Sequence, residues 1–241
     1  MTSEVRRSAD SDALADAVAA ALIVRLAEVQ AEGRVPSVAL TGGSIADRIH
    51  RAVATSIDGL DVDWSEVDFY FGDERYVDTW SEDRNALAAR RDLLDQVEVD
   101  PARVHEMPAS DSGLSLEEAA AAYSDTVHVH GTGEFDLVML GVGPDGHVAS
   151  LFPGHPALDV DDRITVAVTG SPKPPPERLS LTFAALNRTR AVWFVVSGEA
   201  KADAVARARQ PGANLHDVPA AGVVGREETI WWVDAAAASA L

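Results

Sequence analysis

From Leu137 to Leu140 the chain is apolar at every position, and at Gly141-Val142-Gly143-Pro144-Asp145-Gly146-His147 the run breaks. A strand apolar on both sides of its pleat must be covered on both sides, which points to a parallel sheet between helical layers. We expect that strand over Phe135 to Leu140. Glycine lets a backbone approach a ligand closely, and α/β proteins bind ligands on the loops that leave parallel strands. An Asp and a His two residues apart on such a loop form a candidate proton-transfer pair.

The rest of the chain repeats this alternation. An amphipathic helix is expected over Ser11 to Glu32, with Leu14, Val18, Leu22, Leu26 and Val29 on one stripe, Ser11 as its cap and Gly33 as its stop. Strands follow at Ser37–Leu40, Val67–Phe71, Ile164–Val168, Arg178–Leu181, Ala191–Val196 and Thr229–Val233. Helices are expected at Ile45–Ile57, Arg84–Val97, Ser115–Val129 and Glu199–Arg209. No repeat or low-complexity linker interrupts the order, and the short proline run at 172–176 reads as a stiffened loop. The expectation is α/β: one domain over residues 1–241, built on a mostly parallel sheet covered by helices on both faces.

Composition narrows the partners. A formal net charge of −19 argues against nucleic acid and anionic membranes, and no apolar run reaches the length of a membrane span. The polar segment from Met1 to Asp12 does not resemble a secretory signal. With no cysteine, neither disulfides nor thiolate chemistry is available, so a cytoplasmic location is expected. An anionic substrate then requires local positive charge. Only two lysines occur, Lys173 and Lys201, and both fall in candidate site loops.

Four loops carry ligand-type residues. Gly42-Gly43-Ser44, between strand and helix, offers backbone N–H groups and a hydroxyl to an anion, or is a tight turn with Ser44 as cap. Asp73-Glu74-Arg75 follows an apolar strand; one carboxylate can orient the arginine, whose fork suits phosphate or carboxylate. The third is the Asp145–His147 loop, without the Gly-x-Ser-x-Gly elbow of a serine hydrolase, so an imidazole acting on water is the simpler chemistry. The fourth is Ser197–Lys201. His155, inside Phe152-Pro153-Gly154-His155-Pro156, reads as a structural or rim residue. His128 and His130 read as surface histidines rather than metal ligands. Of Trp231 and Trp232, alternation sends one to the core.

Taken in order, Thr41-Gly42-Gly43-Ser44, Phe71-Gly72-Asp73-Glu74-Arg75-Tyr76-Val77, the block from Gly141 to Gly154, Ser171-Pro172-Lys173-Pro174-Pro175 and Arg178-Leu179-Ser180-Leu181-Thr182 resemble the glucosamine-6-phosphate deaminase/6-phosphogluconolactonase family, from about Pro36 to Val233. Within it the Gly-Pro-Asp-Gly-His…Leu-Phe-Pro-Gly and Pro-Lys-Pro-Pro blocks resemble the lactonases. The resemblance implies a Rossmann-like fold and hydrolysis of 6-phospho-D-glucono-1,5-lactone to 6-phosphogluconate, the second step of the oxidative pentose phosphate pathway. It implies no cofactor and no catalytic metal. It matches His147 to the general base and Asp145 to its orienting partner. Gly43, Ser44, Arg75, Arg178 and Lys201 match positions near the substrate phosphate, with Lys173 a further candidate and Asp73 and Asn85 lesser ones.

The chain departs from the family pattern twice. Ile45-Ala46-Asp47 follows Ser44 where Thr-Pro is usual, and Asp83-Arg84-Asn85-Ala86 replaces Asp-Ser-Asn-Tyr. Two other readings compete. An amino-sugar-phosphate isomerase or deaminase would use Asp73 as carbon-acid base, but the Pro-Lys-Pro-Pro run speaks against it. A non-catalytic sugar-phosphate sensor would need a basic DNA-binding head, which an acidic chain lacks. Dinucleotide binding lacks its glycine spacing. As partner we expect the small-molecule lactone, with the protein a monomer or weak homodimer.

Overall fold

The computed structural model describes residues 3–56, 62–131 and 134–241. Its centre is a six-stranded parallel sheet in the order β1-β9-β8-β5-β2-β3, with β1 at Glu4–Ser8, β2 at Ser37–Leu40, β3 at Asp68–Phe71, β5 at Leu137–Leu140, β8 at Ala191–Val196 and β9 at Glu228–Asp234. A second sheet of three antiparallel strands, in the order β4-β7-β6, comprises β4 (Asp73–Arg75), β6 (Thr165–Val168) and β7 (Arg178–Leu181).

Alternation along the strands divides the core in two. Val38, Leu40, Phe69, Phe71, Leu137, Met139, Trp193 and Trp232 face α1 (Ser11–Ala31), α2 (Ser44–Thr55) and the helix beginning with α3 (Asn85–Ala89). Ala39, Tyr70, Val138, Phe194 and Trp231 face α4 (Leu116–His130), the antiparallel sheet, α5 (Phe183–Leu186) and α6 (Ala202–Ala208). Both tryptophans are therefore buried, correcting the expectation of one, because a sheet covered on both faces buries both sides of its pleat. The predicted stripe of α1 is wholly buried, and each such Leu or Val stabilises the layer by about 1.5–3 kcal/mol.

Several boundaries differ from expectation. Asp10, not Ser11, caps α1, accepting from the N–H groups of Asp12 and Ala13. Gly33 lies just beyond that helix at φ +73°. The helix predicted to Ile57 ends at Thr55, and Ile57 itself lies outside the described residues, as does Met1 of the predicted N-terminal segment. The helix predicted over Arg84–Val97 is a short α-turn that passes into a π-helical turn at Arg90–Leu94. A 3₁₀ turn at Glu199–Lys201 precedes α6. Asp73–Arg75 is a strand rather than a charged loop, because Glu74 and its neighbours pair with Arg178–Ser180 of β7. No helix among the described residues is long and apolar enough to cross a membrane.

Strand order determines where the loops meet. The chain leaves β2 for β3 on one side and leaves β5 for β8 on the other, while β2 and β5 are neighbours. Their C-terminal ends thus flank the topological switch point, the crevice in which open α/β sheets bind ligands.

Candidate active site

A cavity at this switch point is lined by Gly42 and Gly43 after β2, by Gly141, Gly143 and His147 after β5, and by Asp73, Arg75, Asn85, Lys173, Arg178 and Lys201 from the surrounding elements. Every predicted site residue except Ser44 and Asp145 lines it, and Asp145 lies directly behind His147. Ser44 is exposed as the first residue of α2. Gly43, at φ +103°, is the helix cap, so Ser44 is not the cap the tight-turn reading gave it. What α2 directs toward the cavity is its N-terminus, where backbone N–H groups lack intrahelical acceptors.

The turn after β5 builds the Asp–His pair. Pro144 pre-sets the second position of a β-turn closed by Gly146 N–H donating to Gly143 C=O at 2.9 Å, and Gly143 N–H donates to His147 C=O at 2.9 Å. His147 Nδ1 is then 2.5 Å from Asp145 Oδ1. Burial pushes the Asp145 carboxyl up, but the His147 hydrogen bond and charge, with Lys173 beyond, hold it well below the usual carboxylate range. An ionised carboxylate only accepts hydrogen bonds, so Nδ1 carries the proton and the lone pair sits on Nε2. Among the described residues Nε2 has no protein partner, which leaves it free to take a proton. Phe152 packs on the imidazole with ring centroids 4.7 Å apart. Ala149, two residues on, is the one described non-glycine residue at positive φ (48°), a strained position beside the pair. Its neighbour Ser150 anchors the turn by donating from Oγ to Asp73 Oδ2 at 2.7 Å.

Four cations face this pair: Arg75, Lys173, Arg178 and Lys201. A chain of net charge −19 thus concentrates positive charge, including both of its lysines, in one cleft. Lys201 Nζ donates to Val142 C=O at 2.6 Å, tying its loop to that of His147. Burial and the neighbouring Lys173 lower the Lys201 pKa, while Asp145 opposes the shift. Arg178 is buried, and its guanidinium donates to three successive carbonyls: Lys173 at 3.1 Å, Pro174 at 3.2 Å and Pro175 at 2.9 Å. It therefore braces the proline loop that carries Lys173 as well as facing the cavity.

The second loop works differently from the expected carboxylate–arginine pair. Arg75 donates to the Asn85 carboxamide oxygen, and Asn85 Nδ2 donates to Asp73 C=O at 2.9 Å. Glu74 turns inward and accepts from the backbone N–H groups of Arg75 (2.8 Å), Asn85 (2.7 Å) and Ala86 (2.9 Å), capping α3 from outside it. Burial pushes its carboxyl up to about 7, against Arg84 and those three donors. Sequence reasoning gave Glu74 no such role; its one signal was a carboxylate eleven residues before a helix start that lacks a capping side chain. Gly42 makes the arrangement possible, since a Cβ there would lie 1.8 Å from Asn85 Oδ1.

His128, His130 and His155 do not line the cleft. His155 caps a 3₁₀ turn through Nδ1 and reaches Thr169 C=O through Nε2. His128 and His130 are exposed, and among the described residues no group of three or more His, Asp or Glu side chains is placed to hold a metal ion.

A cationic cleft at an α/β switch point, with an Asp–His pair facing it, is the arrangement of an acid–base enzyme. The chain belongs to the glucosamine-6-phosphate isomerase/6-phosphogluconolactonase family, whose model matches residues 9–232. It is 45% identical to the 6-phosphogluconolactonase of Streptomyces coelicolor, over 96% of this chain and 92% of that one. It is 42% identical to the 6-phosphogluconolactonase of Mycobacterium tuberculosis, over 100% and 99%. Among solved structures it resembles the Thermotoga maritima 6-phosphogluconolactonase, with TM-score 0.83 at 27% identity, covering 97% of this chain and 100% of that one. A monomeric glucosamine-6-phosphate deaminase shares the fold, with TM-score 0.84 at 18% identity over 99% and 100%. Fold alone therefore does not separate the two chemistries.

Proposed function

We propose that this protein hydrolyses 6-phospho-D-glucono-1,5-lactone to 6-phosphogluconate, with His147 as general base. The observation that carries the reading is the Asp145–His147 pair, free at Nε2, facing four cations across one cleft. The full-length likeness to lactonases of 42–45% identity supports the same substrate.

The chemistry follows from the placement. His147 Nε2 takes a proton from water as its oxygen attacks C1 of the lactone. Charge develops on the carbonyl oxygen, where cleft cations or loop N–H groups stabilise it. The C1–O bond then breaks, the imidazolium returns the proton to the departing ring oxygen, and the open acid forms. Lys201, Lys173, Arg75 and the α2 terminus with Gly43 hold the phosphate, which turns the lactone toward the imidazole and lowers the entropic cost of reaction. Asp73 and Asn85 shape the sugar side of the cleft. We assign this work to a single domain, a reading supported by the apolar cluster shared between the two sheets.

Phosphate dependence tests the reading. The phosphorylated lactone should be hydrolysed with a kcat/KM at least ~10²-fold above that for unphosphorylated glucono-1,5-lactone, since charged hydrogen bonds contribute ~1.5–3 kcal/mol each. Equal values for the two lactones would remove the phosphate site. Lys201→Ala should raise KM by roughly tenfold or more and change kcat little, as read from steady-state kinetics on the lactone. Gly143→Ala probes the pair without replacing either member. The new Cβ would lie 2.0 Å from His147 Nδ1 and 2.4 Å from Asp145 Oδ1, so the side chains must separate. We expect kcat to fall by about 10²-fold; φ at this glycine is not in the left-handed region, so the backbone accepts alanine and the cost falls on the two displaced side chains.

A further inference from the structure

Asp234, which lies outside the cleft lining, is built into the loop that delivers Lys201. Val196, the last residue of β8, pairs with Val233, so Ser197 just beyond β8 comes beside Asp234, the last residue of β9. The Asp234 carboxylate accepts from Ser197 Oγ at 2.6 Å, from Gly198 N–H at 3.1 Å and from Ala237 N–H at 2.7 Å. Gly198 stands at φ +97° and leads directly into the 3₁₀ turn at Glu199–Lys201. Its carbonyl accepts from Lys201 N–H at 3.0 Å, and the Lys201 ammonium reaches Val142 C=O at the cleft. Asp234, the Ser197-Gly198 turn, Lys201 and the Val142 carbonyl thus form one connected path from the far strand to the loop of His147.

We propose that Asp234 is a positioning residue for substrate binding, acting through the Ser197-Gly198 turn to hold the Lys201 ammonium over the cleft. The proposal rests on the reading of the cleft as a sugar-phosphate site. Asp234 is 4% exposed, and its carboxylate is held by the Ser197 hydroxyl and the Gly198 and Ala237 N–H groups, all donors. Burial opposes its ionisation, but the hydrogen bonds from Ser197, Ala237 and Gly198 keep its carboxyl below the usual range. An amide in its place presents a donor to a neighbour that is itself a donor, and the turn loses a fixed point. A lysine ammonium is a point charge on a flexible stem, so its placement depends on the backbone that carries it.

A double-mutant cycle on the full-length enzyme tests this, with KM and kcat measured on 6-phospho-D-glucono-1,5-lactone. Asp234→Asn should raise KM by about tenfold and leave kcat within about twofold, the signature of lost binding rather than lost chemistry. In a Lys201→Ala background the same substitution should shift KM by less than about twofold, because the residue it serves is gone. Ser197→Ala, which removes one contact and leaves both backbone donors, should raise KM by roughly threefold; it decides the matter if Asp234→Asn does not fold. An unchanged KM in these variants overturns the proposal, as does an equal rise with and without Lys201. If Lys201→Ala alone leaves KM unchanged, the proposal falls, while lactone turnover by the wild-type enzyme leaves the hydrolase reading standing.

Discussion

His147→Ala is expected to lower kcat for lactone hydrolysis by about 10³-fold, within the ~10²–10⁴-fold that a positioned general base contributes. KM should stay within about threefold of wild type, since the imidazole is hydrogen-bonded to Asp145 and Lys201 to the Val142 carbonyl, so the ring does not hold the cation in place. The geometry requires this asymmetry. Nδ1 is committed to Asp145, Phe152 supports the ring face, and Nε2 alone is available to water. Removing the ring takes the base and leaves the cradle of Gly43, Lys201 and Arg75. The lactone also opens spontaneously, so the uncatalysed rate must be subtracted from each trace. A His147→Ala enzyme turning over at the wild-type rate would remove the base from the account.

Asp145→Asn should be nearly as damaging, and at least as damaging as Asp145→Ala. The carboxylate accepts only, and by doing so it fixes the proton on Nδ1. An asparagine can offer its amide N–H to Nδ1, which favours the tautomer protonated on Nε2, and that nitrogen then cannot accept a proton from water. Alanine merely leaves the tautomer unbiased. A drop of order 10³ in kcat is expected for the amide, as for other pairs in which a carboxylate sets a histidine tautomer. The steady-state comparison of the two variants reads this directly. If asparagine kept wild-type kcat while alanine did not, Asp145 would act by filling space rather than by directing the proton.

Much of this arrangement was legible in the sequence because it depends on local chemistry. Apolar runs ending in glycine marked the strands of the parallel sheet, and Gly143-Pro144-Asp145-Gly146 is a turn whose residues state their own geometry. What escaped was set by tertiary pairing. The β1 strand, Glu4-Val5-Arg6-Arg7-Ser8, carries no apolar alternation because it is an edge strand held by β9 alone. The β4 strand is three residues, Asp73-Glu74-Arg75, and exists only because β7 lies beside it. Nothing in Asp73-Glu74-Arg75 says which carboxylate turns inward, and the structure gives Arg75 to Asn85 and the Glu74 carboxylate to backbone donors. Arg178 was readable as a cation near the cleft but not as the brace of the Lys173 loop, since carbonyls five residues upstream carry no sequence mark. Two of the groups that fix Asp234, the Ser197 hydroxyl and the Gly198 N–H, lie on another strand's loop, at a separation no local pattern reports.

Lactone hydrolysis and amino-sugar deamination are two chemistries that share this fold. The decisive measurement sets the purified enzyme against freshly prepared 6-phospho-D-glucono-1,5-lactone and, separately, glucosamine 6-phosphate. Acid release from the lactone well above its spontaneous opening, with no ammonia from the amino sugar, is the predicted result. Ammonia release from glucosamine 6-phosphate with no acceleration of lactone opening would contradict it.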